Sequence, residues 1–330
     1  MTHRERVRLS LQHRQPDVVP YHIGFTQRAY RSLQTYLGDS PDFLMVNNAL
    51  AQVGVGGAGM RQVAPDVWED SFGVLWNRSI DPDIGTVCNE RVSPISLDQY
   101  EFPEPAGMDA LAHVCATDRD HFIVADLGFS LFERAWTLTG MENLLSWMVE
   151  RPDFVHALLD RILEFNLSVV DAACIYPIDA MMFGDDWGQQ TGLIMGPRLW
   201  REFIGPRVGQ MYGRVKAHGK FVVIHSCGKV DSLFSDLIEL GLDLFNPFQP
   251  EVMDVVEMKH RYGSRLSFFG GISTQKTLPY GTPQQVKDEV RRLLDVVGKD
   301  GGLVAAPAHA IPADARPENI LAMFEVLNGQ

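Results

Sequence analysis

The chain has 330 residues, 45% of them hydrophobic and 22% charged, and its 42 acidic against 29 basic side chains leave a formal net charge of −13. That length carries one large domain or two modest ones. The charge excludes a broad nucleic-acid surface, which needs a basic stripe to displace phosphate counterions, although a locally positive pocket for a small anion is compatible with it.

In chain order, the start MTHRERVRLSLQHRQPD is basic and has no apolar core of a signal peptide. No apolar run approaches the ~18 residues that span a bilayer, and Cys88, Cys115, Cys174 and Cys227 are too scattered for a disulfide framework. A cytoplasmic protein without membrane contact is the expectation. VVPYHIGF (18–25) reads as a first strand with His22 near its end, a candidate substrate contact or a packed core imidazole. GVGGAG (54–59) has the spacing of neither a dinucleotide fingerprint nor a P-loop. The stretch 66–105 carries Asp66, Trp68, Asp70 and Trp76 in an irregular hairpin texture. Region 60–120 is therefore expected to be a lid or hairpin insertion within a domain covering 1–330.

After residue 120, short apolar runs alternate with amphipathic stretches. The runs are FIVADLG (122–128), DAMMFGDDWG (179–188), FVVIHSCG (221–228), LDLFNPFQ (242–249), LSFFGGIS (266–273) and GLVAAPAH (302–309). Nearly continuous apolar runs of this length suit strands buried on both faces of a parallel sheet. Between them, Phe154, Leu158, Ile162, Phe165 and Val169 recur at helical spacing behind Pro152, and Gly219 and Gly241 stand at helix ends. Alternation of this kind predicts βαβ units. With the first run they make seven strands of a (β/α)8 TIM barrel, the eighth expected within 60–120; an open doubly wound sheet is the alternative.

The strand ends carry the polar residues. Asp126 follows FIVA, Asp185 and Asp186 follow MMFG, His225 and Cys227 follow FVVI, Asn246 and Gln249 end LDLFNPFQ, and His309 follows VAAPA. A barrel gathers such ends at one mouth, where its chemistry resides. Residues i and i+2 of a strand share a face, so His225 and Cys227 offer an imidazole and a thiol side by side, both zinc ligands. His-x-Cys alone is equally a small core cysteine beside a satisfied histidine. His309 on the same rim supplies a third donor, and three protein ligands leave a fourth position open, as catalytic zinc requires. Asp186 and Asp126 are the candidate acid–base groups. His22, Trp187, Gln190, Asn246 and Gln249 are the candidate substrate contacts, Trp187 also reading as packing.

The run IHSCGKV…LIELGLDLFNPFQP…FFGGIS…LPYGTPQQVKDEVRRLL…GGLVAAPAHAIPADARPENILAMFE resembles the uroporphyrinogen decarboxylase superfamily. It is most similar to the branch containing corrinoid-dependent methyltransferases, over roughly residues 120–330. The resemblance implies a (β/α)8 barrel and zinc held by His-x-Cys plus a later cysteine, which activates a thiol to take a methyl group from a methylated cobalamin protein. His225 and Cys227 fall on the first two ligand positions, and where that branch has SPGC this chain has APAH, so His309 replaces cysteine. Neutral imidazole in place of a thiolate makes the metal more electrophilic. That shifts the expectation toward polarising an oxygen or nitrogen of a methylated substrate.

The implied reaction is methyl transfer between a small methylated compound or thiol and a corrinoid protein carrying methylcobalamin. Barrels of this kind often pair, so a homodimer is among the readings. The rivals are a metal-free decarboxylase, with Asp186 or Asp70 as acid, and a non-catalytic binding barrel. Against the decarboxylase, HIGFTQRAYRSLQ keeps Arg28 and Arg31 but lacks the arginine-rich motif that grips porphyrinogen carboxylates.

Overall fold

A computed structural model describes all of residues 1–330. Seven strands, β1 (Leu50–Gly54), β2 (Phe122–Phe129), β3 (Ala180–Gly184), β4 (Phe221–His225), β5 (Leu244–Phe248), β6 (Ser267–Ile272) and β7 (Leu303–Pro307), are hydrogen-bonded side by side in chain order. Every pairing is parallel. Parallel neighbours need crossover connections, and helices such as Pro152–Cys174, Gly205–Ala217 and Phe234–Leu240 occupy the intervals.

The eighth position in the ring belongs to Tyr21–Phe25. His22 N–H donates to Ala305 O at 3.0 Å on one side, and Ala49 N–H donates to Tyr21 O at 2.8 Å on the other. Parallel bridges Tyr21–Ala305 and Phe25–Ile311 are isolated rather than a ladder. Two features explain why the expected strand 18–25 is reduced to bridges. Pro20 has no N–H to donate, and the Asn48 amide takes both backbone groups of Ile23, at 2.9 Å each. The strand expected within 60–120 lies before it, at Leu50–Gly54. Region 60–120 instead forms an antiparallel sheet of Arg61–Ala64, Val67–Glu69, Leu75–Asn77 and Thr86–Val87, followed by the helix Met108–Thr117.

Strand periodicity divides the core in two. Leu50, Phe122, Val124, Ala180, Met182, Val223, Leu244, Phe269, Val304 and Ala306 form one cluster inside the ring. Val7 and Leu11, from the capped helix His3–Leu11, join that cluster and plug one end of the barrel. The intervening residues, such as Met181, Phe183, Val222, Ile224, Phe245 and Phe268, join the larger cluster between strands and helices. Fully burying each such side chain contributes about 1.5–3 kcal/mol. Because the N-terminal end is filled, the inward-facing positions that follow the last core layer all open at the opposite end.

Candidate functional site

The period of two that builds the core also aims the polar residues. Counting inward from Val124, Ala180, Val223 and Leu244, the next inward positions are Asp126, Met182, His225 and Asn246. On β3 the sequence continues inward through Gly184 to Asp186, which turns Asp185 outward. Asp185 is fully buried: its Oδ1 accepts Glu133 N–H at 2.8 Å and its Oδ2 accepts Trp187 Nε1–H at 2.6 Å. Burial pushes Asp185 up to about 7 against those hydrogen bonds.

His225, Cys227 and His309 converge. One ligand atom from each lies within 4.8 Å of the other two, and Cys227 Sγ is 3.3 Å from His225 Nε2. Around a tetrahedral zinc, sulfur and nitrogen ligands sit ~3.6 Å apart, so the donor set fits such an ion with small side-chain adjustments. His225 is pre-oriented for it. Asn246 Nδ2 donates to Phe269 O at 3.1 Å, which turns Asn246 Oδ1 toward His225 Nδ1 at 2.6 Å. Nδ1 thereby carries the proton and the Nε2 lone pair faces Cys227 and His309.

Cys227 is fixed through its backbone. Its N–H donates to Asp186 Oδ1 at 2.7 Å, an atom also 3.8 Å from His225 Nε2. Gly228 has φ +83°, and a Cβ there would stand 2.4 Å from the carbonyl carbon of Gly188. The loops after β3 and β4 therefore touch backbone to backbone, held by Lys229 N–H on Gln189 O at 2.9 Å. Burial and the Asp186 and Glu133 charges push the Cys227 thiol far above its usual range. His309 is the most exposed of the three, yet burial of its ring and the nearby His225 lower its pKa.

The other expected residues divide. Asp126 is half-buried on β2, its Oδ1 accepting Gly128 N–H at 2.9 Å, and burial raises its pKa. His22 packs edge-on to Phe269 with Nδ1 unpaired, and burial lowers it to about 4. Gln249 is buried after β5. Gln190 sits at the exposed turn between Gly188–Gln189 and Gly192–Leu193. Asn246 has a hydrogen bond at each amide end, one of them orienting His225. Trp187 is a correction: it is fully buried, packed edge-on to Trp200, with its Nε1–H donated to Asp185.

Sequence reasoning missed Glu133 and Arg134, both buried at the start of the helix Phe132–Thr139. Burial and the Asp186 and Asp185 charges raise Glu133 well above the carboxylate range. The signal available was two adjacent charges inside the apolar run FSLFERAWTL.

The family model described as uroporphyrinogen decarboxylase (URO-D) matches residues 129–329. The chain belongs to the uroporphyrinogen decarboxylase family. Proteins similar to this chain include a methylcobamide:CoM methyltransferase MtaA of Methanosarcina barkeri, 26% identical over 187 residues, 56% of this chain and 52% of that one. A uroporphyrinogen decarboxylase of Pseudomonas fluorescens is 25% identical over 189 residues, 55% and 50% of the two chains. The match thus spans about half the length of these curated relatives. A solved methyltransferase structure from Methanosarcina mazei superposes with a TM-score of 0.73 at 18% identity, covering 100% of this chain and 99% of that one. It shares the barrel fold. No helix is long and apolar enough to cross a membrane.

Proposed function

We propose that this protein is a zinc-dependent methyltransferase that moves a methyl group between a small substrate and a corrinoid protein or thiol. The observation that carries this reading is the convergence of His225, Cys227 and His309 with an orienting amide behind the first of them. The similarity to a methylcobamide:CoM methyltransferase supports the corrinoid link.

His225, Cys227 and His309 would hold the zinc, which when bound supplies a Lewis acid to polarise the heteroatom carrying or receiving the methyl group. Asn246 keeps the His225 proton on Nδ1. Asp186, anchored by Cys227 N–H, stands beside the donor set and is the group in reach of a proton on the substrate heteroatom. Asp126 faces the same mouth from the β2 side. The plugged barrel floor confines the substrate to this end. With two imidazoles and one thiolate the site is more electrophilic than one with two thiolates, which suits demethylation of an oxygen or nitrogen compound.

The metal-free decarboxylase reading has less support. The Arg28 guanidinium is tied to Ile80 O at 2.8 Å, and a metal-free reaction gives the three converging donors no role. The test is consumption of a methylated-substrate panel by purified protein with reduced cobalamin, followed by the absorbance of methylcobalamin. Cys227→Ser should lower the rate by more than the about 10–100-fold typical of an outer-shell loss. Full activity of that variant, or turnover of a porphyrinogen by metal-free protein, would overturn the proposal.

A further inference from the structure

A cavity of about 510 Å³ opens on the β1–β2 side of the same end of the barrel. Its lining joins the glycine turn after β1, Asp126 from β2, Arg134 from the following helix, and Asp70 and Phe72 from the turn between Val67–Glu69 and Leu75–Asn77. Arg134 is only 8% exposed. Of its donors, Nη1 reaches Asp70 Oδ2 at 3.0 Å and Thr137 Oγ1 at 3.4 Å. Nε is buried without a partner, and Nη2 makes no hydrogen bond within the protein.

Asp70 does not neutralise this arginine fully. Its Oδ1 accepts Phe72 N–H and Val74 N–H, at 2.9 and 3.0 Å, and its Oδ2 also accepts Trp76 Nε1–H at 3.3 Å. A carboxylate shared among four donors leaves guanidinium charge over for another acceptor. The guanidinium lies 3.8 Å from the centre of the Phe72 ring, so one of its faces is covered and its free edge is the part left for a ligand. The amides of Gly57, Ala58 and Gly59 donate to no protein acceptor, and Gly57 and Gly59 line the cavity. Gly56 and Gly59 have φ of +93° and +87°, and consecutive turn amides of this kind form anion-binding concavities. Asp126 lines the same cavity, and burial raises its pKa.

We propose that this cavity is an anion subsite in which Arg134 and the Gly57–Gly59 turn hold the carboxylate of a small organic acid, its apolar body resting against Phe129 and Leu127. The inference rests on the methyl-transfer reading and narrows its substrate class to methylated compounds bearing a carboxylate. Glu133, adjacent to Arg134, has its Oε2 3.5 Å from where a Cβ on Gly184 would stand, and Gly184 is the parallel partner of His225. The anionic end would thus be gripped on one wall of the mouth while the methyl-bearing end reaches the other.

The test is calorimetric titration of the purified protein with benzoate, its neutral isostere benzamide, and inorganic phosphate. Benzoate should bind saturably by about 10 mM, benzamide at least tenfold more weakly, and phosphate should not displace benzoate. Arg134→Gln should weaken benzoate at least tenfold without changing metal content. Gly57→Asp, which adds a negative charge at the rim and leaves the Arg134–Asp70 pair intact, should do the same and covers the case in which Arg134→Gln fails to fold. Cys227→Ser should lose metal and keep benzoate binding, so the two readings fail separately. Absent benzoate binding, binding unchanged in Gly57→Asp, equal binding of benzamide, or displacement by phosphate would each overturn the carboxylate subsite.

Discussion

At the scale of single residues, Asn246 sets the orientation of His225. A core histidine needs only one satisfied nitrogen. His225 has that nitrogen fixed by an amide that is itself fixed by Phe269 O, an outer-shell arrangement that serves a ligand role for Nε2. Asn246→Ala should therefore weaken metal affinity about 10–100-fold, measured by competition with a chromogenic chelator. Asn246→Asp, which keeps the acceptor for His225 Nδ1–H, should recover most of it; equal affinity in all three proteins would remove Asn246 from the site. Asp186, His225 and Asn246 were legible because strand parity places them inward. The same parity, carried past Gly184, turns Trp187 outward with Asp185, and this is why Trp187 packs instead of lining the mouth. Glu133 and Arg134 stood out only as adjacent charges in an apolar run, because the Asp70 that pairs with Arg134 lies 64 residues earlier in sequence.

At the scale of elements, the β3 and β4 loops act as one clamp. Gly188 and Gly228 approach so closely that a Cβ at residue 188 would stand 2.6 Å from Cys227 O. Gly228→Ala introduces a left-handed backbone penalty of about 1–3 kcal/mol plus a Cβ 2.4 Å from the carbonyl carbon of Gly188. The expected result is a lower urea midpoint together with weaker metal binding, since Cys227 moves with the loop. Loss of stability with unchanged metal affinity would show that the clamp does not position the thiol. Strands β2–β7 were readable from their apolar runs, each observed within a few residues of the run that marked it. Strand β1 was not: Gln52, a surface-like residue in Leu50–Gly54, breaks the apolar pattern, and the following glycines look like a loop. The first strand was overread for the converse reason, an apolar run whose ladder is interrupted by Pro20 and by the Asn48 side chain.

At the scale of the whole molecule, the barrel brings positions 225 and 309, 84 residues apart in sequence, onto one rim by closing β7 against Tyr21–Phe25 and β1. With the helix His3–Leu11 sealing the other end, the mouth is the one end of the ring where inward polar groups meet solvent, and both the three-donor cluster and the Arg134 cavity open there. Methyl transfer at this mouth requires the three donors to hold one ion. X-ray absorption at the zinc edge of the metal-loaded protein measures this directly. One zinc per chain, with a single sulfur at about 2.3 Å, nitrogens at about 2.0 Å, and the sulfur lost in Cys227→Ser, is the predicted result. A protein that takes up no zinc, or zinc bound without sulfur and indifferent to Cys227→Ser, would contradict it.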